Sequence, residues 1–169
     1  RPGGGLAEVA RKMKEAGVSS PTFLNKSYME LYIGSLFAMI LQETEGMDFW
    51  IGKPKEDPPD IAIMATEKKE GKITFLSREV EITRFLKKDK GLLETILDKD
   101  KAYPGDYTIL CFLEFNGSEK LKAFSDTLIK ELKNVRHVFL IFNGMPFSYL
   151  NEAPTPEEMA GKVSLLQVS

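Results

Sequence analysis

The chain has 169 residues, the size of one compact domain, and such a domain buries roughly 70% of its extended surface. Its hydrophobic content of 43% and charged content of 28% are ordinary for a globular protein. The net charge of −2 excludes a whole-molecule field that attracts nucleic acid, so binding of DNA or RNA needs a local basic patch. The longest apolar stretch is far shorter than the ~20 residues that span a bilayer, and we expect no membrane partner.

The N-terminal part of the sequence predicts two helices. Residues 1–5, Arg-Pro-Gly-Gly-Gly, lack the apolar core of a signal peptide and are expected to form a tail. Apolar positions at helical spacing predict a first helix over 6–16. A second helix, capped by Asn25 or Ser27, is expected to run to about Glu43 with an apolar stripe broad enough to pack on a sheet.

The rest of the chain reads mainly as strands with intervening helices. Strands are predicted at 48–51, 60–65, 72–83, 107–115, 138–142 and 163–168, and helices at 91–97, 119–133 and from 154. Alternation of strand, helix and strand in the second half predicts an α/β fold with a mixed sheet flanked by helices. We expect residues 1–169 to form a single domain.

Cysteine usage bears on the compartment. Cys111 is the one cysteine, and it lies in an apolar run where a small buried hydrophobe is expected. A disulfide within the chain is therefore excluded, which favours a reducing compartment, and we expect the protein to be cytoplasmic.

A split acidic cluster is the feature of the sequence that points to chemistry. Asp60 opens one predicted strand, and alternation places Glu79, Glu81 and Thr83 on one face of the next. A hairpin centred near 70–71 sets Asp60 opposite a residue between 79 and 81, on a strand only ~4.8 Å away. Clustered carboxylates repel one another unless a cation neutralises them, so the pattern predicts a metal site formed by Asp60, Glu79 and Glu81. Ligands that are all oxygen favour Mg²⁺ or Mn²⁺.

Other catalytic arrangements fit the sequence poorly. With one histidine and one cysteine in the chain, a zinc site built on several such residues is excluded. His137 opens an apolar strand and has no evident partners for a Ser-His-Asp triad. The run 3–5 of glycines lacks both the following Lys-Ser/Thr and the preceding strand of a phosphate-binding loop.

Pro59-Asp60, a hairpin and an acidic strand, all after an acidic helix, resemble the PD-(D/E)xK nuclease superfamily with the restriction-endonuclease-like fold. The resemblance covers about 25–142 and implies an αβββαβ core, with the N-terminal helix and the C-terminal strand as additions. It implies that Asp60 takes the family's aspartate position and that Glu79 or Glu81 takes its acidic position. The additional helix glutamate of the family would be Glu43, or else Glu45. It also implies hydrolysis of phosphodiester bonds with Mg²⁺ or Mn²⁺, on DNA in preference to RNA.

The chain departs from the family at one position, because no lysine stands two residues after either glutamate. If Glu79 is the acidic residue, Glu81 occupies the lysine position; if Glu81 is, Thr83 occupies it. Both registers remain open, and Thr83 can contribute only hydrogen bonds. The alternative is a catalytically inactive nuclease-like domain that acts as a binding or assembly module. In either case the chain is expected to form a homodimer or to be part of a larger protein.

Basic residues follow the acidic strand directly, and they are candidates for contacts with a nucleic-acid backbone: Arg84, Lys87, Lys88 and Lys90. The competing interpretation is a solvated surface. The acidic cluster has a similar alternative, a solvent-facing strand edge within an α/β domain that binds a small molecule elsewhere.

Overall fold

The computed structural model describes residues 1–55, 59–85, 91–103, 107–113, 127–135, 137–143 and 163–168. It confirms the α/β class. The described α-helices are α1 (Pro2–Ala16), α2 (Lys26–Glu45) and α3 (Leu92–Ala102), and residues 127–131 are also helical. The helix predicted from 154 lies outside the described residues.

Both long helices end at glycines in the left-handed conformation, Gly17 at φ 66° and Gly46 at φ 68°. Glycine adopts this conformation without a steric penalty, so both helices stop where the sequence predicts. The side chain of Asn25 accepts a hydrogen bond from the backbone N–H of Tyr28 at 3.2 Å and fixes the start of α2. Asn25, not Ser27, is therefore the cap.

The expected tail at 1–5 is wrong, because α1 begins at Pro2. Proline is suited to the first helical position, where its missing N–H costs no hydrogen bond. Gly5 then lies against α2 so closely that an added Cβ would be 2.2 Å from Ser35 Oγ. Gly5 thus permits α1 and α2 to approach each other.

Six strands form one mixed sheet in sequence order: β1 (Phe49–Gly52), β2 (Ile61–Lys69), β3 (Lys72–Phe85), β4 (Thr108–Leu113), β5 (His137–Asn143) and β6 (Val163–Val168). The pairs β1–β2, β2–β3 and β5–β6 are antiparallel, whereas β3–β4 and β4–β5 are parallel. Each parallel connection needs a crossover. Between β3 and β4 the crossover contains α3, and between β4 and β5 it contains helical residues 127–131.

The β2–β3 hairpin turns at Glu70 and Gly71, which have positive φ values of 51° and 77°. Two consecutive residues of this kind suit the right-handed twist of the flanking strands. The turn gives a register that pairs Ile61 with Val80 and Ala62 with Glu79. The predicted position of the turn is therefore confirmed.

The two faces of the sheet carry separate apolar cores. One core joins α1 and α2 to Val80, Leu110 and Phe139 among others. The other joins Ile96 of α3 to Ile109 and to Cys111, which is fully buried as predicted. The fold is thus a three-layer arrangement with helices on both sides of the sheet. In the described part of the chain, no helix combines the length and apolar character that crossing a membrane requires.

Candidate functional site

Asp60 lies immediately before β2 and is only 6% exposed. Its Oδ2 accepts a hydrogen bond from the backbone N–H of Ile82 at 2.8 Å, and its Oδ1 lies 3.0 Å from Lys26 Nζ. Burial opposes ionisation of this carboxyl, but the Ile82 amide, Lys26 and Glu30 outweigh it and lower the pKa of Asp60. Asp60 is therefore an ionised carboxylate held in a fixed position.

Lys26 lies between two carboxyl groups, because its Nζ is also 3.1 Å from Glu30 Oε1, one helical turn further along α2. Hydrogen bonding to Asp60 and then to Glu30 raises the pKa of Lys26. Burial and the neighbouring Asp60 raise the pKa of Glu30, so this group holds its proton more readily than a free glutamate. One lysine thus bridges a pair of buried acids.

Glu81 lies on β3 and is 5% exposed. Its Oε1 accepts hydrogen bonds from Lys99 Nζ at 2.5 Å and from the Tyr103 hydroxyl at 3.0 Å. Burial lowers the pKa of Lys99, but the bond to Glu81 outweighs it and the net shift is upward. A lysine is therefore present beside Glu81 although the strand itself supplies none.

Two oxygens in this part of β3 are buried and have no hydrogen-bond partner within the described structure: Glu81 Oε2 and Thr83 Oγ1. Alternation along the strand puts both side chains on the same face. Buried polar atoms in proteins are nearly always paired, so an unpaired carboxylate oxygen beside an unpaired hydroxyl suggests a ligand or water between protein groups. Carboxylate and hydroxyl oxygens also suit a hard divalent cation.

Asp60 and Glu81 contact different helical layers. Ile82, whose amide bonds Asp60, packs with the core of α1 and α2, and Lys26 comes from α2 itself. Glu81 is in register with Ile109 of the opposite core, and its partners Lys99 and Tyr103 belong to α3 and its C-terminal cap. Among the residues that the structure describes, which include both acids, no group of three or more His, Cys, Asp or Glu side chains is placed to bind a metal. The predicted three-carboxylate group is therefore not assembled in this arrangement.

The remaining predicted acids lie apart from this centre. Glu79 is exposed and pairs across the ladder with Ala62. Glu43 is exposed near the C-terminal end of α2, and Glu45 faces Arg78 at 3.8 Å. The prediction that Glu43 or Glu45 supplies the helix glutamate needs correction, because Glu30 is the α2 glutamate at Asp60. The start of α2, not its end, faces the start of β2.

The predicted basic patch is described only in part. Arg84 is exposed at the end of β3. Lys87, Lys88 and Lys90 lie outside the described residues.

Sequence reasoning missed Lys26, Glu30 and Lys99. The first two stand four residues apart at a helix start, a spacing that places them on one face and that the sequence does display. Lys99 is one of several charged residues in 98–101, and nothing in the sequence distinguishes it from its neighbours.

Comparisons with models of known protein families, with curated proteins and with solved structures found no match to this chain.

Proposed function

We propose that the chain is a divergent nuclease-like domain with a restriction-endonuclease-like core that hydrolyses phosphodiester bonds of DNA with Mg²⁺ or Mn²⁺. The strand arrangement supports the core assignment. The long helix α2 precedes an antiparallel β1–β2–β3 meander, which is followed by a helical crossover to β4, parallel with β3. This is the αβββαβ order that the resemblance implies.

The single observation that carries the proposal is the hydrogen bond from the Ile82 amide to Asp60. It attaches the Asp60 carboxylate to the residue between Glu81 and Thr83, the two side chains with unpaired buried oxygens. The contact favours the register in which Glu81 is the acidic residue and Thr83 stands in the lysine position. Glu79, exposed and one alternation away, belongs to the other register.

Each residue has a role in the proposed reaction. Asp60 and Glu81 would hold the divalent cation, which supplies charge to the phosphate and lowers the pKa of a bound water. Lys99 would supply from α3 the positive charge that Thr83 cannot supply from the strand, while Thr83 orients a water by hydrogen bonding. Lys26 pairs with Asp60 and Lys99 pairs with Glu81, so the cation would compete with these two lysines for the carboxylates.

The experiment is cleavage of labelled duplex, single-stranded and branched DNA, and of matched RNA, with Mg²⁺, Mn²⁺ or EDTA. We expect metal-dependent cleavage that falls about a hundredfold or more in Asp60→Asn and in Glu81→Gln. Glu79→Gln is the matched control, an exposed acid on the same strand, and it is expected to retain activity. Undiminished cleavage in Asp60→Asn and Glu81→Gln contradicts the proposal. Loss of activity in Glu79→Gln alone would show that Glu79, not Glu81, is the acidic residue of the site.

A second candidate has its own support, since both acids are already paired with lysines and the described residues form no three-ligand group for a metal. In this alternative the domain is inactive and serves as a binding or assembly module, as a homodimer or within a larger protein. Calorimetry with Mn²⁺ separates the two candidates, because binding that is lost in Asp60→Asn and Glu81→Gln excludes the alternative. A cytoplasmic location belongs to both.

A further inference from the structure

A cavity of about 260 Å³ opens beside Asp60, between the first turn of α2 and the loop that joins β1 to β2. Three lysines line it, Lys26, Lys53 and Lys55, together with the hydroxyl-bearing Ser27. The volume greatly exceeds the ~30 Å³ of one water, so a phosphate group and part of a sugar fit within it.

The charge balance of this cavity is positive even though two acids line it. Lys26 is engaged by Asp60 and by Glu30, so three lysines face two carboxyl groups and the lining carries an excess of one positive charge. Lys53 and Lys55 are exposed, and neither forms an ion pair with a carboxylate among the described residues. Two lysine charges are thus available to a ligand.

The polar groups are arranged to receive an anion. Lys53 Nζ donates a hydrogen bond to Ser27 Oγ at 3.0 Å, which holds this ammonium at the start of α2. The partial positive charge of a 20-residue helix at its N-terminus adds a contribution of the same sign. An ammonium held in place by a hydroxyl group loses little further freedom when it binds a phosphate.

We infer that this lysine cavity, defined by Lys26, Ser27, Lys53 and Lys55, binds a backbone phosphate of a nucleic-acid strand next to the phosphate that would be hydrolysed. The identity of the anion rests on the proposed function, because Lys53 and Lys55 line the same cavity as Asp60 and would meet the phosphates that neighbour one bound there. The inference adds a substrate subsite on the α2 side of the sheet, distinct from the predicted basic residues that follow β3.

The test is fluorescence anisotropy of a labelled DNA duplex and of a labelled single strand in EDTA, which allows binding without cleavage. The pocket variant is Lys53→Gln/Lys55→Gln. The matched control is Lys68→Gln/Lys69→Gln, two exposed lysines at the other end of β2 and about 30 Å from Asp60 by strand length, with the same change in net charge.

We expect the pocket variant to bind about tenfold more weakly than the control, with a slope of log affinity against log salt reduced by up to about two. Equal losses of DNA affinity in the two double variants would show that only the net charge matters, and would overturn the inference. Inorganic phosphate is the competing probe: saturable phosphate binding that the pocket variant loses, together with unchanged DNA binding, would overturn the nucleic-acid assignment.

This outcome is separable from that of the proposed function. Failure of cleavage in the native protein, with lysine-dependent DNA binding intact, rejects the nuclease and retains the subsite. Cleavage that Glu81→Gln abolishes, together with DNA binding that does not change in Lys53→Gln/Lys55→Gln, supports the nuclease and rejects the subsite.

Discussion

The carboxylate of Asp60 and the backbone amide of Ile82 are joined by a 2.8 Å hydrogen bond across the end of the β2–β3 hairpin. The ladder itself stops one pair earlier, at Ile61 and Val80. The Asp60 carboxylate therefore accepts the hydrogen bond from β3 that a backbone carbonyl of β2 would accept if the pairing of the two strands continued. Loss of this acceptor would leave a buried N–H unpaired.

Replacing Lys26 by methionine should destabilise the fold, because Asp60 would keep its buried charge without the ammonium 3.0 Å away. We expect a loss of about 1–2 kcal/mol in the free energy of unfolding, less than for a fully buried pair, since the Lys26 side chain is 74% exposed to water. Urea unfolding at pH 7 measures it. Lys14→Met, an exposed lysine on α1, is the control and should change stability little.

The same substitution should strengthen binding of a divalent cation. Lys26 occupies one oxygen of Asp60, and its removal leaves that oxygen to a metal while also removing a repulsive charge. Calorimetry with Mn²⁺ should give a tighter dissociation constant for Lys26→Met than for the native protein. Weaker binding in the variant would mean that Asp60 is not a ligand.

Glu81 and Lys99 should show strong energetic coupling. Lys99→Met leaves the Glu81 carboxylate, which is 5% exposed, without its cation, and we expect the free energy of unfolding to fall by about 2–3 kcal/mol. Glu81→Gln/Lys99→Met should recover part of this loss, because the uncompensated charge is gone. Urea unfolding of the two single variants and the double variant measures the coupling, and strictly additive losses would contradict it.

Asp100 should be the main source of acid sensitivity in the second core. It is 2% exposed, and its carboxylate accepts hydrogen bonds from the backbone amides of 133–135, which hold the chain before β5. Burial raises the pKa of this group, but the three amides outweigh it and the net shift is downward. The stabilisation is therefore complete above the ordinary aspartate pKa and is lost as the pH falls through the lowered value.

Asp100→Asn tests this role, and we expect it to lower the free energy of unfolding by about 2 kcal/mol at pH 7. The difference from the native protein should begin to shrink below about pH 4, where the carboxyl of the unfolded chain takes up a proton, and should vanish as the pH falls through the lowered pKa of the folded carboxyl. Urea unfolding at a series of pH values tests this. Asp98→Asn, on the exposed surface of the same helix, should show no comparable pH-dependent loss. A difference that stays constant with pH would contradict the assignment.

Cys111 should be inert in the folded protein. Complete burial raises the pKa of its thiol to about 12, so the reactive thiolate is scarce at neutral pH. A disulfide-exchange reagent should label it at a rate set by unfolding, and urea should accelerate labelling sharply. Rapid labelling under native conditions would show that β4 opens locally.

The sequence predicts local structure well where one or two residues decide it. Asn25 and Gly46 delimit α2, and Glu70-Gly71 places the β2–β3 turn, because a cap or a positive φ is a property of the residue itself. The shared face of Glu81 and Thr83 follows from strand alternation alone. These features need no knowledge of the tertiary structure.

The site partners depend on tertiary packing and could not be predicted in the same way. Asp60 precedes the first ladder pair, so the alternation rule does not determine where its side chain points. Periodicity gives the apolar face of α2 but not which end meets β2, and for this reason Glu43 was expected where Glu30 lies. Lys99 reaches Glu81 only because the β3–β4 crossover brings α3 over the sheet.

Lys26, which Asp60 and Glu30 share, makes folding of the domain independent of metal binding. A buried carboxylate that depends on a metal for neutrality makes the whole domain sensitive to chelators, whereas here the chain carries its own counterion on a helix adjacent to the acid. Substitutions that abolish metal binding need not unfold such a domain. Under the proposed function, a variant could therefore lose hydrolysis through changes at a few side chains while the scaffold stays intact.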